Sequence, residues 1–465
     1  MLIVAEYTRG NNIQYSREET TLNHKVKGLT SLLLASFLAT TGCSSSAPEE
    51  SSKGKEAKSP EIAVSTAPVT LKLFVNAVRL SKVDFEKFFV EPLKKKHPNI
   101  TIEMVFNSDG SIAPLEKLIV AGDIPDLIMS DTDWHMPLKQ LDLPMDLTDM
   151  VKKFNLDLST LNPVAVQTVQ NLQPGQLQAV PFFLTAGVLF YNKDLFDKFG
   201  VPYPKDDMQW PEVMNVARTM TRMQDGVQYI GIDLRFPDHV VSPYTQPFID
   251  PKTNKALVDI PLYRKVLDLF DQMYKMPGFV SGTKYAYGPD GFVKDKYQAM
   301  QPDWSNKIIS DLLQAEADGI APNWDMVTNP TFEDKVGKGR HTIAAVLAIT
   351  KGSKHKEQAM QVIQMMVSRE QQMLMSKESM ITILNDNEVK KAYGTSNPLL
   401  KNKNTAALFK NPPTPTPPAH IADKEVQTVI RAMRKEMAIG KKDINTVLRE
   451  GQEQADKKIA ALMAK

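Results

Sequence analysis

One thiol occurs in this chain of 465 residues, at Cys43 within ATTGCSSSAPEE. A lone cysteine has no partner for an intramolecular disulfide, which leaves a reactive thiol, an intermolecular bridge or a modification site. Seven histidines stand at positions 24, 97, 135, 239, 341, 355 and 420, and no two carry the spacing of metal ligands. No glycine-rich phosphate loop, Gly-x-Ser-x-Gly elbow or zinc-protease motif occurs. Carboxylates are plentiful, so a glycosidase pair stays open, although most acidic pairs are solvated. The chemistry to expect is therefore recognition without a metal or cofactor.

The residues around Cys43 say more than the thiol does. The apolar run from Leu29 to Ala39 has the length of a signal-peptide core and falls short of the roughly 20 residues a spanning helix needs. Lys25 and Lys27 precede it, and Thr40, Thr41 and Gly42 lead small residues up to the cysteine. This resembles a bacterial lipoprotein signal, with Thr40 where leucine is usual; a plain signal peptide cut elsewhere is the alternative. The resemblance implies lipidation of Cys43 and anchoring at the outer face of the cytoplasmic membrane, in an envelope of Gram-positive type. Residues 1–21 fit no part of such a signal, which points to Leu22 as the translation start.

Residues 1–43 hold four Lys/Arg and three Asp/Glu, so the totals of 56 and 54 leave 52 and 51 beyond them. That balance gives no electrostatic footprint for nucleic acid. Residues 44–67 are rich in Ser, Lys, Glu, Ala and Pro and read as a flexible tether. Order starts at VTLKLFV, then the helical DFEKFFVEPLKKKHP with Pro92 expected to kink or divide it, NITIEMVF, the helix PLEKLIVAG and the strand PDLIMS. This alternation predicts an α/β lobe with a largely parallel sheet. Further strands are GVLFYN, YIGID and TIAAVLAIT, and further helices are WPEVMNVARTMTRM, PLYRKVLDLFDQMYKM and HKEQAMQVIQMMVSREQQMLM. NPPTPTPPAH reads as an extended connector before two closing helices. Beyond residue 43 the chain is too long for one ordinary core, so two lobes are expected.

Residues 175–220 carry the most specific pattern: Gly175, Pro181, Tyr191-Asn192-Lys193-Asp194, Phe196, Gly200, Pro204, Trp210 and Glu212 in that order. Together with LIVAGDIPDLIMSDTDW, FVKDKYQAMQPDWSNKI and IAAVLAITKGSKHKEQAMQVIQMMVSREQQ, the stretch resembles the family 1 extracellular solute-binding proteins of ABC importers, the group that includes maltose-binding protein. The resemblance implies a type II periplasmic-binding-protein fold: two α/β lobes joined by a multi-crossing hinge around a ligand cleft. Lobe one would hold residues 68–180 plus 326–379, and lobe two residues 181–325 plus 380–465. It implies a monomer, not an enzyme, that captures a carbohydrate by closing and hands it to membrane permease subunits. A non-sugar solute, a sensor or adhesion lipoprotein on the same fold, and a surface glycoside hydrolase are the alternatives.

A sugar site needs flat aromatic faces for C–H surfaces and polar groups for hydroxyls. Strand C-terminal ends place Asn76 and Arg79, Asn107 and Asp109, then Asp131, Asp133 and Trp134 in the first lobe. The family resemblance adds Asp303 and Trp304 in QPDW, and Arg235, Phe236 and Tyr244 in DLRFPDHVVSPYTQPF. Phe183 and Trp324 flank the expected crossings. Bland readings stand beside these: Asp131 and Asp133 as helix caps, Phe236 and Tyr244 in a surface hairpin, Trp324 in the hinge core, and Trp210 packing its helix on the sheet.

Overall fold

The structure, a computed structural model, describes residues 64–76, 78, 80–107, 111–132 and 135–464. Cys43, most of the expected tether, Arg79, Asp109, Asp133 and Trp134 lie outside the described residues.

Strands β1 (Val69–Asn76), β2 (Ile100–Asn107), β3 (Leu127–Asp131) and β4 (Val180–Thr185) come first, followed by β5 (Gly187–Asn192), β6 (Arg222–Gln224), β7 (Val227–Ile232) and β8 (Gln298–Trp304). β9 (Trp324–Thr328), β10 (Ile343–Ile349) and β11 (Ile381–Thr382) complete the set. They form a six-stranded sheet, β11-β4-β10-β3-β1-β2, and a five-stranded sheet, β6-β7-β8-β5-β9. Helices cover both, as the alternation of apolar runs predicts.

The first sheet is not largely parallel. β1 runs parallel to β2 and β3, but β10 is antiparallel to β3 and β4, and β11 is antiparallel to β4. The parallel part is the part built by consecutive strand–helix–strand units, whose hand fixes direction. β10 re-enters from the other sheet, so no local crossover sets its sense. Pro181 sits in the middle of this sheet without an N–H to donate, and the ladder opposite it shifts register between Ala345 and Val346.

Sheet membership shows where the chain passes from one sheet to the other. The chain leaves the first sheet after Thr185, with Ala186 alone between β4 and β5, rather than at Pro181. β9 through Thr328 belongs to the second sheet, and β11 belongs to the first. Ala186 is clamped by Ser305: its N–H donates to Ser305 Oγ at 3.2 Å, and its carbonyl accepts from Ser305 N at 2.8 Å.

Two helices depart from their sequence pattern for physical reasons. Residues 82–96 stay helical through Pro92, but the stretch Glu86–Val90 widens to a π-helical turn. Pro92 cannot donate to the Phe88 carbonyl, and Gln371 Nε2 donates to it instead at 2.8 Å. The run 355–375 is two helices, Lys356–Val367 and Arg369–Lys377, because extended Ser368 caps the second through its hydroxyl. Elsewhere the pattern holds. Lys193–Phe199 stops at Gly200, whose φ of +63° suits glycine, and Trp210 is buried where its helix meets the sheet.

The second lobe's core brings Trp210–Met220 and Pro261–Tyr274 together with two late helices, Asp423–Ala438 and Ile444–Met463. Val426, Ile430, Met433 and Leu448 point inward at helical spacing. The last 40 or so residues thus return to pack on chain laid down long before. No helix among the described residues is long and apolar enough to cross a membrane.

Candidate functional site

A cavity of about 640 Å³ lies between elements of the two sheets. On the first side it is lined by Ser111 and Ile112 after β2, Thr132 after β3, and Met136, Pro137 and Gln140 of the helix His135–Gln140. On the other side stand Asp238, His239, Trp304, His341 and Arg431. The proline-rich connector adds Thr416, Pro417, Ala419 and His420 along one edge.

Trp304 ends β8 and pairs with Gly187 across the sheet. A Cβ at Gly187 would fall 2.3 Å from Arg340 Cδ, so glycine is required to let Arg340 pass. The Arg340 guanidinium reaches 5.3 Å from the Trp304 ring centroid, in cation–π contact. His341 lies 5.3 Å and His239 6.1 Å from the same ring. Burial, with Arg340, Arg431 and Arg235 nearby, pushes the His239 pKa well below its ordinary value, so this imidazole is neutral at pH 7.

Asp238 is fixed by Arg431 through a forked ion pair, with Nε at 3.0 and 3.1 Å from the two carboxylate oxygens and Nη2 at 2.6 Å from Oδ2. Arg235, at φ +66°, pairs through Nε with Asp303 Oδ2 at 3.1 Å. Asp303 is buried and also accepts from the backbone N–H of Trp304, the next residue, at 2.8 Å. Phe236 is clasped by Arg431 at 4.3 Å, Arg434 at 4.4 Å and Arg235 at 5.1 Å from its ring centroid.

Of the residues singled out by sequence, Trp304 faces the cavity, and Arg235, Phe236 and Asp303 support that wall. Asn76 is fully buried and accepts from Asn107 Nδ2 at 2.8 Å; Asn107 also donates to the Ser111 carbonyl at 2.6 Å, so the pair props a lining residue. Asp131 ends β3 next to the lining residue Thr132. Tyr244 instead donates to Asp334 Oδ1 at 2.7 Å and packs on Phe332. Phe183 is buried edge-on to Phe182, with ring centroids 5.0 Å apart. Trp324 is buried beside Phe190, and its carbonyl accepts from Lys403. None of these last three lines the cavity.

Asp238, His239, Arg340, His341 and Arg431 were not selected from sequence. The first two sit inside DLRFPDHVV, three and four residues beyond Arg235, and the signal there was a Pro-initiated helix carrying its polar residues at the start. Arg340 ends the loop VGKGR and His341 follows it, and Arg431 is one basic residue among several on an amphipathic helix. No cluster of His, Cys, Asp and Glu among the described residues is arranged to hold a metal. The arrangement presents one aromatic face, a neutral imidazole and fixed charged groups, which is equipment for gripping a polar solute with apolar faces.

Comparison with known proteins agrees with this reading of the fold. Among solved structures, the chain is similar to an ABC substrate-binding protein of Listeria monocytogenes in complex with cycloalternan, at 18% identity and TM-score 0.69 over 84% of this chain and 99% of that one. It is similar to the sugar-binding protein MalE of Xanthomonas citri at 19% identity and TM-score 0.66, covering 85% and 98%. It is also similar to an ABC transporter solute-binding protein of Agrobacterium radiobacter K84 in complex with ribitol, at 20% identity and TM-score 0.60, covering 84% and 99%. These likenesses establish the type II periplasmic-binding-protein fold, two α/β lobes with several chain crossings between them. The model of the bacterial extracellular solute-binding proteins matches residues 81–373, well over half of the chain. With its cleft and two sheets already in place, this chain belongs to the bacterial extracellular solute-binding proteins.

Proposed function

We propose that the protein captures a carbohydrate, an oligosaccharide rather than a single sugar, in the cavity between its lobes and delivers it to the membrane subunits of an ABC importer. The observation that carries this is Trp304, a ring set on the cavity wall against the Arg340 guanidinium. A ring fixed in this way covers the C–H face of a pyranose, while His239 and the Asp238–Arg431 pair answer its hydroxyls. The volume of about 640 Å³ suits a ligand larger than one sugar ring. Two of the similar structures are complexes with cycloalternan and ribitol, which supports a sugar or polyol as the class.

Binding is by closure of the lobes about the chain at Ala186, at residues 329–342 and beyond β11, with ligand favouring the closed form. The protein is held at the outer face of the membrane by lipid on Cys43. Lobe one comprises the first sheet with its helices, and lobe two the second sheet with the C-terminal helices.

Thermal unfolding of the purified protein against mono- and oligosaccharides, polyols, peptides and polyamines tests the reading. A ligand that binds only the folded form raises the midpoint, by an amount that grows with concentration over Kd. A rise with one glycan class, without its hydrolysis, is expected. A rise confined to peptides or polyamines overturns the carbohydrate assignment, and product formation from a bound glycan overturns capture without catalysis.

A further inference from the structure

The proline-rich connector forms a third wall of the cavity, and both lobes set it in place. Thr416 N donates to Thr168 Oγ1 at 3.3 Å, and Asn171 Nδ2 donates to the Thr416 carbonyl at 2.7 Å. Ala419 N donates to the Asn171 carbonyl at 3.1 Å. Thr168 and Asn171 belong to the helix Pro163–Leu172, which packs in the core of the first lobe. One residue later the connector joins the second lobe. His420 N donates to Asp423 Oδ2 at 2.7 Å, and the helix Asp423–Ala438 begins.

His420 stands at this junction, half-buried, and lines the cavity. Its own turn holds it. Asp423 N donates to the His420 carbonyl at 3.0 Å, and Ala422 N donates to His420 Nδ1 at 3.1 Å. A backbone N–H needs a lone pair, so Nδ1 carries no proton and the neutral ring carries it on Nε2. Burial lowers the His420 pKa from its ordinary value, so the neutral form prevails at pH 7. The turn uses the backbone and Nδ1 and leaves Nε2 without a hydrogen-bond partner among the described residues. Unlike both ring nitrogens of His135, Nε2 is not sealed in the interior.

We propose that His420 is a ligand-binding residue whose Nε2–H donates to a hydroxyl or ether oxygen of the solute in the cavity. The assignment rests on the carbohydrate reading above and adds a directed donor from the connector. A donor already oriented loses little freedom when it meets its acceptor. Nε2–H cannot accept, so it favours solutes with an oxygen lone pair at that place over those with an N–H there. The connector docks on the first lobe just before this ring and on the second just after it, so the contact joins solute, hinge segment and both lobes.

The oligosaccharides of the unfolding panel, maltotriose and mannotriose among them, are the probes, with affinity read by calorimetry and stability by thermal unfolding. Two amide replacements separate the two ring nitrogens. In His420→Asn the amide oxygen takes the place of Nδ1, so the turn and the unfolding midpoint are kept, while the best probe binds roughly tenfold more weakly. In His420→Gln the amide nitrogen takes the place of Nε2, so most of the affinity is kept while the midpoint falls. The reverse pattern, or unchanged affinity in His420→Asn, makes the residue structural alone and overturns the assignment. In the ligand-free protein, nitrogen-15 NMR is expected to place the His420 proton on Nε2, and a proton on Nδ1 overturns the assignment without any solute. If no oligosaccharide binds the native protein, the carbohydrate reading fails and takes the assignment with it. Binding that is indifferent to His420→Asn fails the assignment alone.

Discussion

The two sides of the cleft are built differently. Among the described residues, the first-lobe side is short of charge: Ser111, Ile112, Thr132, Met136, Pro137 and Gln140. The second-lobe side holds a forked ion pair, two histidines and a tryptophan whose ring packs against those histidines and Arg340. Side chains already locked in place lose little entropy when a ligand arrives, so they set which solute fits. Flexible Met136 and small polar groups accommodate what the other side has selected. On the proposed function, specificity falls to the second lobe and coverage to the first.

The largest effect expected of breaking this contrast is in Asp238→Ala. It leaves the Arg431 guanidinium, less than a third exposed, without its carboxylate, and should cost about 3 kcal/mol of stability in urea unfolding. A loss below about 1 kcal/mol would mean the second side is not pre-fixed by that pair. Next comes acid. His135, buried behind the first side, has its pKa lowered by burial to about 4. The unfolded chain takes up this proton near pH 6.5 and the folded chain only near 4, so stability is complete above 6.5 and falls as pH drops through that window. The fall is about 1.4 kcal/mol per pH unit, about 3 kcal/mol in all. His135→Phe should flatten that part of the profile, while buried His239 contributes in the same direction.

Ligand affinity sharpens the contrast further. Trp304→Ala should weaken binding of the cognate solute by about 1–3 kcal/mol in calorimetry. Met136→Ala, at a residue lining the first-lobe side of the same cavity, should change affinity by less than about 1 kcal/mol. Equal losses in the two variants would dissolve the division of labour.

Much of the fold was legible in the chain. Alternation marked β1 and β2, strand-like apolar runs marked β5 and β10, and apolar periodicity marked the helices at Trp210–Met220, Pro261–Tyr274 and Asp423–Ala438. What stayed hidden depends on distant partners. The antiparallel sense of β10 follows from where it re-enters, and the helical run through Pro92 survives because Gln371, far along the chain, takes the freed carbonyl. The site divides the same way. QPDW announced Trp304, and DLRFPDHVV was chosen while its Asp238 and His239 were passed over. Arg340 gives no local sign at all: within VGKGRHT it reads as a solvated basic loop, and only the missing side chain at Gly187 admits it to the interior.

The setting of the tryptophans has an optical consequence. The chain contains four. Trp210 and Trp324 are sealed at 1% and 4% exposure, so their emission is blue and out of reach of iodide or acrylamide. Trp304 stands partly exposed on the cleft wall, beside a guanidinium and an imidazole. Among the described tryptophans it is therefore the one whose emission changes when a solute covers its face. The protein carries its own spectroscopic probe on the wall of the candidate cleft.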